Sequence, residues 1–134
     1  MNKKKCAQHN EYIKDLFNKL TPGEISDLTN GCGPMNNRFL AEVIPELVFN
    51  IACKIHDIAF LCGGDDKDRT YSNEMFYEDM CNAIRKQTKW KRWFYFPLAK
   101  TYVWFVSGRF GKKNFSYREK ILVLKEVKKL AFEN

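Results

Sequence analysis

No stretch of this chain is apolar for long enough to span a bilayer: the greasiest segment, Trp93 to Val106, is short and broken by Pro97 and Lys100. Acidic residues are missing altogether between Met80 and Arg118, while ten Lys/Arg and all three tryptophans fall there. With only His9 and His56, the chain lacks the histidines that an HD-type phosphohydrolase needs. There is no short Cys-x-x-Cys knuckle, which argues against a zinc module even though Cys53 and His56 sit three residues apart. No segment alternates with the period of a strand. The basic start, Met1 to Lys5, is followed by "CAQHNEYIKD" rather than an apolar run, so no signal peptide is expected.

What is present suits one globular unit spanning residues 1–134. The chain is 45% hydrophobic and 15% aromatic, enough for a real core. The net charge of +7 favours a polyanionic partner, either nucleic acid or an anionic membrane surface. Five cysteines allow at most two disulfides, with Cys6 as the natural odd thiol. Paired cysteines point to an oxidising compartment, which the missing signal makes awkward: either export is unconventional, or the chain is already processed, or the cysteines stay reduced.

Helical signals recur along the chain, and the fold class expected is all-α. Tyr12, Ile13, Leu16, Phe17 and Leu20 form one apolar stripe ending near Thr21-Pro22-Gly23. Thr21 and Glu24 are spaced as a capping box with Pro22 at the first helical position, opening a short helix through Leu28. After the loop "TNGCGPMNN", Pro45 opens a third helix that runs to Leu61 and stops at Gly63-Gly64. A polar turn, "GGDDKDRT", precedes a fourth helix expected from Tyr71 to about Lys89. Pro97 and Gly108 bracket a fifth, whose aromatics are read as core. Ser116 and Glu119 form a second capping-box pattern, opening a last helix with Ile121, Leu124, Val127 and Ala131 on one side.

The third helix carries "NIACKIHDIAF", in which His56 and Asp57 interrupt an apolar run. Helical neighbours point about 100° apart, so Asp57 is not the group that orients His56. If His56 is a general base, another carboxylate must hold its far ring nitrogen, and Asp79 on the next long helix is the candidate. The two helices then pack antiparallel. Asp57 is left as a hard oxygen ligand for calcium, with the Gly31 to Pro34 segment as the source of backbone carbonyls. A Cys32 to Cys53 disulfide would bring that loop to the helix.

These motifs resemble the secreted phospholipase A2 superfamily, especially its small bacterial-type members: Cys-Gly-Pro in Gly31 to Pro34, Cys-x-x-His-Asp in Cys53, His56 and Asp57, "FYEDM" ending at Met80 with Asp79, and "TYVWFVSGRFGKKNF". The resemblance covers roughly residues 28 to 115. It implies calcium-dependent hydrolysis of the sn-2 ester of glycerophospholipids, the activity of a phosphatidylcholine 2-acylhydrolase. By that analogy His56 deprotonates water, Asp79 orients the imidazole, and Asp57 with the carbonyls of Gly31 and Gly33 holds Ca2+. Cys62 and Cys81 are expected as a second disulfide. Phe60 stands where many relatives carry tyrosine, and Met35 where many carry a third glycine.

The basic aromatic stretch "KWKRWFYF" suits a membrane interface, with Trp90 and Trp93 expected to insert and the cations attracting anionic lipid. The protein is therefore expected outside the cytoplasm and peripheral to a membrane, with lipid rather than nucleic acid as partner. The alternative is a catalytically inactive, cationic membrane-binding protein on the same scaffold, of which Phe60 and the altered loop would be signs.

Overall fold

The computed structural model describes residues 2–29 and 46–133. Seven helices are described: α1 (Lys3–Lys19), α2 (Pro22–Leu28), α3 (Glu46–Cys62), α4 (Asp66–Arg85), α5 (Lys89–Ser107), α6 (Arg109–Asn114) and α7 (Leu124–Glu133). Among the described residues there is no strand, only an isolated bridge between Gly64 and Tyr117. The all-α expectation holds.

Local chemistry explains most boundaries. Asn2 starts α1, its side-chain oxygen accepting the N–H groups of Lys4 and Lys5. Thr21 and Glu24 exchange reciprocal bonds at the start of α2, as their spacing predicts. The fourth helix begins earlier than expected because Asp65 and Asp68 form a capping box of their own, at 3.0 Å in both directions. Much of the "GGDDKDRT" stretch is thus helix rather than turn. The fifth helix does not open at Pro97 but runs through it. Pro97 lies on the exposed side.

The last helix also departs from expectation, starting at Leu124 rather than Ser116, with Glu126 accepting the N–H of Val123. The residues before it form a strap over the end of α3. Ser116, Arg118 and Leu122 donate their N–H groups to the carbonyls of Phe60, Gly64 and Cys62, at 3.2, 2.9 and 3.1 Å. The Arg118 guanidinium donates to the Leu61 carbonyl. A helix C-terminus leaves its last carbonyls without partners, and here the strap supplies the donors.

The α3–α4 hairpin is the centre of the molecule. On one side Ile55, Ile58, Ala59 and Met75 pack against Ile13, Leu16 and Phe17 of α1 and Val127 of α7. On the other, Phe49, Phe76, Met80 and Ile84 pack against Ala99 and Tyr102 of α5. Three residues join the two helices. Gly63 there has a φ of 72°, in the left-handed region, and its N–H reaches the Ala59 carbonyl.

The hairpin corrects one expectation. Cys62 and Cys81 are both buried free thiols, not a disulfide. Cys62 lies beside the turn, whereas Cys81 sits 15 residues into α4, about 22 Å further along the hairpin. A disulfide allows at most about 7 Å between Cα atoms. Burial pushes the Cys62 thiol up to about 12, with Arg118 opposing weakly. Alkylating unreduced protein should therefore leave Cys62 unlabelled while native, and label both Cys62 and Cys81 in denaturant, as peptide mass spectrometry would show.

Candidate functional site

His56 lies midway along α3, buried between two aromatic rings. Phe60, one turn further on, has its centroid 4.2 Å away and tilted by 43°. Phe76 of α4 stacks on the other side at 4.3 Å and 25°. Phe115, at the start of the strap, meets Phe60 edge-on at 5.1 Å. The imidazole is thus held in an apolar slot open to few polar groups.

Its Nε2 is 2.8 Å from Oδ1 of Asn73 on α4. An amide oxygen only accepts, so Nε2 carries the proton and Nδ1 carries the lone pair. Asn73 is held in turn: its Nδ2 donates to the Val106 carbonyl near the end of α5, at 3.4 Å. One turn earlier on α4, Arg69 donates to the adjacent Ser107 carbonyl at 3.5 Å. The chain Val106, Asn73, His56 therefore runs through three helices and fixes one tautomer.

Asp79 is not the residue at His56. It accepts a bond from Lys14 of α1 at 2.7 Å, and its other oxygen is buried without a partner. Six residues separate it from Asn73, which turns it roughly 120° around α4 and moves it about 9 Å along. It faces a groove of about 740 Å³ between α1, α3 and α4, lined by Lys14, Phe17, Ile51 and Ile55 among others. The hairpin register explains the difference: His56 is eight residues before Gly64, and Asn73 is eight after Asp65. An antiparallel pair with its turn there brings those two level.

The slot sets the electrostatics. Burial drives the His56 pKa from its ordinary 6.5 down to about 4, and the bond to Asn73 only partly opposes this. The unfolded chain takes up this proton near pH 6.5, the folded chain only near pH 4. Stability is therefore complete above pH 6.5 and declines as pH falls toward 4, by about 3 kcal/mol in all. Urea midpoints for the protein and for His56→Gln should show the variant losing less stability than the parent between pH 7 and pH 4.

Asp57 follows on α3 and is half-buried. Its carboxylate is a hard oxygen donor of the kind calcium takes. The other expected ligands, Gly31 and Gly33, lie outside the described residues, as does Cys32. Cys53 is not among the free thiols. Among the described residues no three of His, Cys, Asp and Glu side chains converge on one point.

On α5, Trp90 and Trp93 are exposed. Trp104, read from sequence as core, is exposed too, because the buried side of α5 is taken by Ala99 and Tyr102. Asn73 was missed from sequence; the register count from the Gly63-Gly64 turn was the signal that would have found it.

No family model, no curated protein and no solved structure matches this chain.

Proposed function

We propose that the protein is a lipid-ester hydrolase of phospholipase A2 type, acting on the sn-2 ester of glycerophospholipids at an anionic membrane surface. The observation that carries this reading is the 2.8 Å contact between His56 Nε2 and the Asn73 amide oxygen, which assigns the proton to Nε2 and leaves Nδ1 as a base for a water molecule. Asn73 is a positioning residue, holding the ring in place. Phe60 and Phe76 exclude bulk water from both faces of the ring. Calcium, held by Asp57 together with the carbonyls of Gly31 and Gly33, would supply positive charge for a substrate phosphate and for the developing oxyanion.

An amide partner stabilises an imidazolium less than a carboxylate would, and a base with a pKa about 4 is weak. Turnover should therefore be slow, and its acidic limb should fall near pH 4 rather than near 6.5. The test is fatty-acid release from sn-2-labelled anionic vesicles, with millimolar-order calcium or with chelator, for the protein and for His56→Ala. Release that needs both calcium and His56 supports the reading.

The same amide favours a second reading, an inactive membrane-binding protein on an inherited scaffold. Absence of release from folded protein under every condition would favour it.

A further inference from the structure

All three tryptophans of the chain stand on one face of α5. Trp90 is 72% exposed, Trp93 84% and Trp104 76%, with Phe94 at 57% between them. Helical geometry puts these four within about 60° of a line through Pro97, itself exposed, along about 21 Å of helix. Lys89 and Lys100 flank the stripe on one side and Lys91, over the Trp90 ring at 5.7 Å, on the other. The opposite face of α5 is committed to the core through Ala99 and Tyr102.

We infer that α5 is an in-plane membrane helix, which lies flat on an anionic lipid surface and inserts Trp90, Trp93, Phe94 and Trp104 together. Exposed indoles in a row are costly in water, but each has an apolar body and a polar N–H suited to the headgroup boundary. Lysines on both rims place their charges at headgroup level while their stems cover the apolar edge. Among the described residues no helix is long and apolar enough to cross a membrane. No acidic residue from Met80 to Arg118 opposes an anionic surface.

Charge argues against a second copy as the occupant, since facing stripes would bring cationic rims together. A single-stranded nucleic acid is bound in grooves that track its backbone, whereas this surface is a convex helix. The inference shares its lipid partner with the proposed hydrolysis but does not use His56, so the two fail separately.

The test uses His56→Ala protein, so that hydrolysis cannot alter the vesicles. Three single-tryptophan variants, made by replacing the other two with Phe, are mixed with vesicles of phosphatidylcholine alone or with added phosphatidylglycerol. Bromine-labelled lipid then reports the depth of each indole. The expected result is a blue shift and similar quenching at all three positions, on anionic vesicles and weakened by salt. Trp93→Ala/Trp104→Ala should lower vesicle partitioning by about tenfold or more, with unchanged circular dichroism. Quenching of Trp90 and Trp93 but not Trp104 would overturn the flat orientation. No quenching anywhere, or tighter binding to a single-stranded oligonucleotide than to anionic vesicles, would overturn the surface itself.

Discussion

Asn73→Asp should raise the His56 pKa by about 1–3 units, because a carboxylate then stands at the position where Nε2 now meets an amide. The pair would share one proton, with the imidazolium form stabilised by its partner. Nuclear magnetic resonance titration of the ring should show an apparent value between about 5 and 7 instead of about 4. If the chain hydrolyses lipid as proposed, the stronger base should raise the rate about tenfold and move the acidic limb of the pH profile with it. The same change costs stability. Asn73 now donates to the Val106 carbonyl, and a carboxylate oxygen there would face another acceptor with no proton between them. We expect a loss of about 1–3 kcal/mol at neutral pH. A ring pKa that stays near 4 in a folded Asn73→Asp protein would show that the contact does not control His56.

A large loss of stability from a single added methyl group is expected at Gly63. Its φ of 72° suits a residue without a Cβ, and a Cβ there would collide with the Ser116 carbonyl. The strap cannot withdraw freely, because Ser116, Arg118 and Leu122 are bonded to the end of α3. Gly63→Ala should therefore cost about 3 kcal/mol or more, from left-handed strain together with a displaced strap. Chemical denaturation measures this directly. A cost within about 0.5 kcal/mol would mean that the strap does not hold the hairpin end.

How much of this was legible in the sequence depends on the range of the interaction. The capping box of Thr21 and Glu24, the Gly63 stop and the apolar stripe of α1 are local, and the spacing of residues predicts each, except that Tyr12 of the stripe is exposed. The start of α4 is local as well, but acidic residues in a Gly-rich stretch suggest a turn as readily as the capping box they form. The partner of His56 escapes for a different reason. Residue type points to Asp79, the carboxylate on the next helix, but the contact is set by hairpin register, which places Asn73 level with His56 and Asp79 on another face. The Cys62 to Cys81 expectation failed on that same register. Trp104 shows the converse: aromatic residues in a helix suggest core, yet burial depends on which face the neighbouring helices occupy. The expected calcium loop falls outside the described residues.

The carbonyl that holds Asn73 belongs to the helix whose outer face carries the tryptophans. Trp104 precedes Val106 by two residues, and the contact from Asn73 to Val106 is already long at 3.4 Å. Gly111 leaves no side chain against that carbonyl, where a Cβ would collide with it. An axial slip of α5 by about one ångström would break this bond. The Asn73 amide could then rotate and present its NH2 group to Nε2, moving the ring proton to Nδ1 and removing the basic lone pair from that atom. A displacement of α5 would thus act on the orientation of the Asn73 amide, which sets which nitrogen of His56 can accept a proton.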